Sequence, residues 1–250
     1  MNFDSAFETY MQSLKMRGLS VHTLRAYHND LKQFREFLTS YFELDTIPLE
    51  EIKRLYIRDF LRHLSQNTRS NRTLARKATT IRNFFSHCRK HSLLVKDPAA
   101  NLPVPKFEKK LPQHFTEDEM LQLLDIPDIT SKFGIRNKAI MELIYSSGLR
   151  ISEVSMVSIG DIDIKRKLIR VLGKGNKERI IPVGKYAITA VKKYLGVRDS
   201  FKSLNSDTIL FLSKSGKLLS PDELRVILNR YLMLVAKTKG YSPHALRHSF

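Results

Sequence analysis

The most informative stretch of this chain is Ser147-Gly148-Leu149-Arg150-Ile151-Ser152-Glu153. Two further stretches follow it, Gly173-Lys174-Gly175-Asn176-Lys177-Glu178-Arg179 and His244-Ala245-Leu246-Arg247-His248. Among their residues are two arginines, Arg150 and Arg247, with Lys174 and His244. Two guanidiniums can grip the non-bridging oxygens of a phosphate, and a lysine or histidine can protonate a departing oxygen. The second half of the chain therefore carries the groups that phosphodiester chemistry needs.

The charge of the chain points to a polyanionic partner. The 250 residues include 43 Lys and Arg against 25 Asp and Glu, a formal net charge of +18. Residues 1–110 carry 20 basic and 11 acidic side chains and residues 111–250 carry 23 and 14, so each part has a net charge of +9. Both parts should therefore be attracted to nucleic acid.

Several classes of protein are disfavoured by what the sequence lacks. No apolar run approaches the roughly 20 residues that cross a bilayer, and the amino end is not a signal peptide, so we expect a cytoplasmic protein with no membrane partner. Cys88 is the single cysteine, which excludes an intrachain disulfide. His244 and His248 have the i, i+4 spacing of zinc ligands, but Ala245 stands where metalloproteases carry glutamate and no third ligand is evident. We expect neither a metal nor another cofactor.

The first hundred residues predict a helical bundle. Apolar residues recur at helical spacing in four segments, which begin near Asp4, at Ser20, at Pro48 and around Arg72. A proline-punctuated basic segment follows this bundle, as is typical of a linker. We therefore predict a helical domain over residues 1–102, a linker over 103–112 and a second domain over 113–250.

One segment of the bundle carries positive charge alone. Nine lysines and arginines lie between Asp59 and Asp97, and no acidic residue does. A solvated helix face normally mixes both signs, so a run of one sign indicates a surface that follows phosphates. The residues that we predict to bind DNA here are Arg72, Arg76, Lys77 and Arg82.

The second half has mixed periodicity. Thr116 and Glu119 have the spacing of a capping box, and residues 134–146 show helical spacing. From Ile159 to Val183 the apolar period changes to two, which predicts a small antiparallel sheet. Helices resume at 184–196, at 221–237 and from Pro243. The predicted fold class is thus mainly α with a small antiparallel β-sheet (α+β).

In this order and context the three stretches resemble the tyrosine recombinase (phage integrase) family, closest to the Xer type. The resemblance extends from about Asp4 to Phe250. It implies a helical core-binding (SAM-like) domain followed by a catalytic domain of the DNA breaking-rejoining type. The catalytic residues that it implies are Arg150, Lys174, His244 and Arg247, with Lys174 as the general acid. We expect Lys177 and Arg179, from the same hairpin as Lys174, to contact DNA phosphates.

The family resemblance also implies a function and partners. The reaction is site-specific recombination by metal-independent strand cleavage and rejoining through a 3′-phosphotyrosyl intermediate, in chromosome dimer resolution at cell division. The partners are a double-stranded DNA recombination site, further recombinase protomers in a tetramer on DNA, and a DNA translocase. Integrases of phages and mobile elements share all these motifs and remain an alternative. Type IB topoisomerases use a similar catalytic set, but residues 19–27 resemble the amino-terminal domain of Xer proteins instead.

The family's nucleophile is a tyrosine well beyond the histidine and arginine of the third stretch. No tyrosine follows Arg247 in these 250 residues, and Tyr231 and Tyr241 match no family position. We therefore expect a catalytic domain that is incomplete at its carboxyl end, and no strand cleavage by these residues alone. A second interpretation is a catalytically incompetent fragment that occupies a recombination site without cutting it.

Overall fold

The computed structural model describes residues 1–67, 70–103, 115–173, 177–201, 208–235 and 243–248, and of His244 and His248 it describes the backbone alone. The chain divides by its contacts into two compact units, Met1–Lys110 and Leu111–Phe250. Apart from Pro103, the predicted linker lies outside the described residues. The boundaries 1–102, 103–112 and 113–250 therefore stay a prediction.

The first unit contains the four helices that the sequence predicts. They are α1 (Phe3–Met16), α2 (Val21–Phe42), α3 (Arg54–Gln66) and α4 (Asn71–Lys90). Serines cap two of them: the Ser20 hydroxyl accepts a hydrogen bond from the Thr23 amide at 3.2 Å, and Ser70 accepts one from Thr73 at 3.3 Å. Each cap satisfies a backbone donor that has no partner inside its helix.

Two helix starts differ from the predicted positions. Asn2 rather than Asp4 caps α1, because its side-chain oxygen accepts the Ser5 amide at 2.8 Å. Asp4 instead pairs with Arg35 of α2 at 3.1 Å. Pro48 leads into a short 3₁₀ turn, and α3 begins only at Arg54 because the two residues before it have extended backbone.

Aromatic rings from all four helices form the core of the first unit. The fully buried rings are those of Phe3, Phe34, Phe60, Phe84 and Phe85. The ring centroids of Phe3 and Phe84 lie 5.2 Å apart, and those of Phe34 and Phe60 lie 5.1 Å apart. Truncating one such ring to alanine typically costs about 3–5 kcal/mol. These ring contacts join α1 to α4 and α2 to α3.

The second unit is built from helices around a small sheet. Its helices are α5 (Glu117–Asp125), α6 (Lys132–Ser147), α7 (Ile151–Met156), α8 (Lys185–Arg198), α9 (Pro221–Val235) and α10 (Pro243–His248). The predicted capping box opens α5, because the side chains of Thr116 and Glu119 each accept the other residue's backbone amide. Buried apolar side chains of these helices and of the sheet form one core.

The sheet has three antiparallel strands in the order β1 (Ile162–Asp163), β2 (Leu168–Leu172), β3 (Glu178–Pro182). Ile169 pairs with Ile181 and Val171 with Arg179. Ile169 and Val171 are buried, so the same face of β3 carries Arg179 toward the interior of the unit. The predicted fold class, mainly α with a small antiparallel sheet, is confirmed.

Across the described ranges, every helix is too short or too polar to traverse a lipid bilayer.

Candidate active site

The loop that presents Arg150 depends on a glycine. Helix α6 ends at Gly148, whose φ of 56° lies in the left-handed region and whose amide donates to the Ile144 carbonyl at 2.9 Å. Glycine adopts this backbone without steric cost. Leu149 is buried and anchors the turn, and Arg150 is the N-cap of α7, which begins at Ile151. The guanidinium of Arg150 is left half exposed, with 50% of its side-chain surface accessible.

Glu153 is the buried centre of the site. Its carboxylate accepts hydrogen bonds from the Arg150 amide at 2.8 Å and from Arg150 Nη1 at 2.8 Å. It also accepts two from Arg179, Nη1 at 3.0 Å and Nη2 at 2.7 Å. The side chain is only 6% exposed. Burial alone would raise the pKa of Glu153, but the hydrogen bonds from Arg179 and Arg150 outweigh it and lower the pKa to about 2.

The low pKa of Glu153 predicts an acid-sensitive contribution to stability. Its ordinary value is 4.5, so the carboxylate stabilises the folded unit fully above that pH and loses this effect as the pH falls toward about 2. The contribution is on the order of 3 kcal/mol. We therefore expect Glu153→Gln to lower the free energy of unfolding strongly at pH 6 and much less at pH 3, measured by urea denaturation. Glu178→Gln, at an exposed position of β3, is the control. A deficit in Glu153→Gln that is the same at both pH values would contradict the assignment.

Arg247 approaches the same cluster from the end of the described chain. Its helix, α10, packs against α6 and α9 through the buried side chains of Ala245 and Leu246. Burial lowers the pKa of Arg247, as do the positive charges of Arg150 and Arg179, while Glu153 acts in the opposite direction. Arg150 and Arg179 bond the Glu153 carboxylate, Arg247 lies within electrostatic range of it, and the excess positive charge suits a phosphate.

The hairpin between β2 and β3 carries the predicted general acid. The Gly173 amide donates to the Lys177 carbonyl at 2.7 Å and closes the loop. A Cβ atom at position 173 would lie 3.0 Å from Nη1 of Arg179, so a side chain there would crowd the guanidinium that holds Glu153. Lys174 itself and the side chain of His244 lie outside the described residues. Their assignment as catalytic residues stays a prediction.

The structure corrects the expectation for Lys77. Its side chain is buried, with 4% of the residue exposed. The ammonium donates to Asp30 at 2.8 Å and to Gln33 at 2.7 Å, both on α2. Arg76 forms a second ion pair with the same aspartate. Lys77 therefore holds two helices together and does not face a DNA backbone.

The other predicted DNA contacts divide into two groups. Arg72, Arg76 and Arg82 of α4 are exposed, as is Lys177 at the base of the hairpin, and DNA binding by these four stays a prediction. Arg179 differs from the expectation, because both ends of its guanidinium bond the Glu153 carboxylate. We therefore assign Arg179 a structural role in the site, in which it holds the Glu153 carboxylate.

Comparison with known proteins decides the family. Residues 113–250 match the phage integrase family, and residues 7–91 match the N-terminal SAM-like domain of phage integrases. The chain belongs to the phage integrase family. Its sequence also matches tyrosine recombinases of the Xer type, so the resemblance of the three sequence stretches is confirmed.

Two relatives and one solved structure illustrate the match of this phage integrase family member. It is 37% identical to the tyrosine recombinase XerC of Thermodesulfovibrio yellowstonii over 247 residues, 96% of this chain and 79% of the relative. It is 34% identical to the tyrosine recombinase XerD of Staphylococcus epidermidis, over 99% of this chain and 83% of the relative. A lambda integrase dimer bound to a COC′ core site superposes with a TM-score of 0.75 at 18% identity, covering 100% of this chain and 88% of that one. The last likeness shows the fold.

Proposed function

We propose that this recombinase exchanges DNA strands at a specific site, in the cytoplasm, to resolve chromosome dimers at cell division. The observation that carries the proposal is the convergence of Arg150 and Arg247 beside Glu153 and Arg179. The identity to XerC and XerD relatives favours this role over the integration of a mobile element.

The proposed chemistry follows from the charges that the site presents. A tyrosine oxygen attacks the scissile phosphorus, the bond from phosphorus to the 5′ oxygen breaks, and a 3′-phosphotyrosyl bond remains. Arg150 and Arg247 hold the non-bridging oxygens and offset the negative charge that develops as the fifth oxygen approaches. Lys174 gives its proton to the leaving 5′ oxygen. His244, which lies on the same helix as Arg247, is the fourth proposed catalytic residue. The cations of the chain supply the charge, so the proposed reaction requires no metal.

Glu153 has a positioning role in this proposal. It accepts hydrogen bonds from both the backbone and the side chain of Arg150, which restricts the directions that the guanidinium can take. Its bonds to Arg179 join the loop of Arg150 to the strand that follows the hairpin of Lys174. The carboxylate thereby fixes the guanidinium that would hold the phosphate relative to the hairpin that carries the general acid.

The proposed partners are a double-stranded recombination site and further protomers in a tetramer. Solved lambda integrase structures at a TM-score of about 0.75 include a dimer on a core site and a tetramer on a Holliday junction, which supports this assembly. The net charge of +18 suits the same partner. We also propose a DNA translocase as a further partner.

The test of the mechanism is covalent capture of DNA. We expect residues 1–250 alone to form no covalent complex on a nicked suicide substrate, because no tyrosine follows Arg247 among them to attack the phosphorus in line. The same residues joined to a family segment that carries the tyrosine should give a shifted band on a denaturing gel. Replacing that tyrosine by phenylalanine is the control.

Two outcomes would contradict the proposal. A joined protein that binds the site without cutting it would favour the DNA-binding interpretation. A covalent band from residues 1–250 would require another nucleophile, such as Tyr231 or Tyr241. The Tyr231 hydroxyl is already bonded to the Asn137 amide at 3.0 Å, which indicates a structural role for it.

A further inference from the structure

A basic cleft lies in the first unit, and none of the residues of the proposed active site lines it. It has a volume of about 570 Å³ and is bounded by the carboxyl ends of α1 and α4 and by the first half of α2. The side chains that give it its character are Tyr10, Arg17, Tyr27, His87, Lys90 and His91. Its lining, as far as the chain is described, includes no aspartate or glutamate. The cleft therefore carries positive charge without a counter-ion.

His87 in this cleft has an unsatisfied polar atom. Its Nε2 is buried without a hydrogen-bond partner, and no other side-chain polar atom in the described ranges is in that position. The ring lies 5.0 Å from the Tyr10 ring and 4.2 Å from the His91 ring, centroid to centroid. Leaving a buried polar group unpaired costs about 1–3 kcal/mol. A native structure rarely retains that cost without a reason.

The charges around His87 come from two helices. Burial lowers the pKa of His87, and the nearby charges of His91, Arg17 and Lys90 lower it further. The titratable and charged groups that line the cleft with it are Tyr10 and Arg17 of α1, Tyr27 of α2, and Lys90 and His91 of α4. An anion among these groups would reverse the effect on the imidazole, because it favours the protonated form.

Stabilisation of the two helix ends does not account for these cations. Backbone amides already donate hydrogen bonds to the last carbonyls of both helices. At α1 the Leu19 amide donates to the Leu14 carbonyl at 3.3 Å, and at α4 the Leu93 amide donates to the Cys88 carbonyl at 2.9 Å. Each helix end carries roughly half a negative charge, so two ends offset about one of the two full charges of Arg17 and Lys90. Positive charge remains, and it also opposes a metal ion between His87 and His91.

We propose that this cleft binds a phosphate group, held by Arg17, Lys90 and His87. Arg17 and Lys90 provide charged donors, and protonated His87 adds a third positive charge beside them. The phosphate can belong to the backbone of bound DNA or to a free phosphate compound. Binding of a DNA phosphate rests on the proposed function of the protein, whereas binding of a free phosphate compound does not.

The first arm of the test uses inorganic phosphate without DNA. The imidazole signals of His87 are followed by ¹⁵N-detected NMR during a phosphate titration of the whole chain. We expect saturable shifts and a higher pKa of His87 in the bound state. Lys90→Gln and Arg17→Gln should each weaken phosphate binding roughly tenfold or more, the value of a charged hydrogen bond. Arg89→Gln is the matched control, because Arg89 is exposed and does not line the cleft. Thermal melting verifies that each variant is folded.

The second arm distinguishes the two sources. If the phosphate is part of DNA, Lys90→Gln should reduce the slope of log K against log salt by about 0.9 for duplex binding, while Lys15→Gln, also outside the cleft, changes it less. If Lys90→Gln loses phosphate binding and keeps the DNA slope, the ligand is a free phosphate compound. Shifts that do not saturate, or a Lys90→Gln variant that binds phosphate as Arg89→Gln does, would overturn the proposal. That result would leave the recombinase proposal unaffected.

Discussion

Replacing either Arg150 or Arg247 by alanine is expected to slow DNA cleavage by at least about 100-fold. Removing one preorganised donor from a developing negative charge typically costs on the order of 3 kcal/mol in the chemical step. Site binding should change little, because many other phosphate contacts carry the affinity. Cleavage is measured on a nicked suicide substrate by residues 1–250 joined to the family's tyrosine-bearing segment, and binding by gel shift.

The control for these variants is Arg225→Ala. Arg225 is an arginine of α9 with 54% of its side chain exposed, and it pairs with the exposed Asp222 of the same helix. Its loss should leave cleavage nearly unchanged.

Lys174→Ala tests which residue is the general acid. A substrate with sulfur at the 5′ bridging position has a better leaving group, so it should rescue Lys174→Ala alone. Equal rescue of the arginine variants would show that the general acid is misassigned.

The second large effect is expected at Asp30. This aspartate is 1% exposed and accepts hydrogen bonds from Lys77 at 2.8 Å and from Thr80 at 3.0 Å. Asp30→Ala would leave the Lys77 ammonium charged in the interior without its counter-ion, with Gln33 as its remaining acceptor. Breaking such a buried pair typically costs about 3–5 kcal/mol. We expect a loss of that size in the first unit, measured by urea denaturation together with amide hydrogen exchange in α2 and α4.

A double variant separates charge from packing at this position. Asp30→Leu combined with Lys77→Met removes both charges and should recover most of the lost stability, because a buried ion pair replaced by apolar groups is often neutral. Glu36→Ala is the surface control, since its pair with Lys32 is exposed and 3.9 Å long. A double variant as unstable as Asp30→Ala would show that shape rather than charge is decisive there.

Local signals in the sequence were sufficient to predict the fold class. Caps at Ser20 and Thr116 are short-range interactions, so the residue types and their spacing identify these helix starts directly. The change of period from helical to alternating likewise predicts the sheet, because it reflects which face of a strand is buried. The start at Pro48 was misplaced because a proline that fits the first turn of a helix also fits the 3₁₀ turn that it opens here.

Long-range pairing explains what the sequence could not predict. The acid-free run between Asp59 and Asp97 suggests that all its cations face solvent, but the counter-ion of Lys77 is Asp30, 47 positions earlier on another helix. Arg179 is similar, because its partner Glu153 lies 26 positions away across a helix and two strands. Arg150 and Arg247 were accessible to prediction only through the family pattern, and no local spacing relates them.

The shared carboxylate of Glu153 has a consequence for how this protein can evolve. A change at Arg179 alone leaves Glu153 buried with one partner lost, and a change at Glu153 alone leaves the guanidiniums of Arg150 and Arg179 without their counter-ion. We expect either single step to destabilise the protein. Descendants should therefore alter both positions, which are 26 residues apart in the chain, or neither.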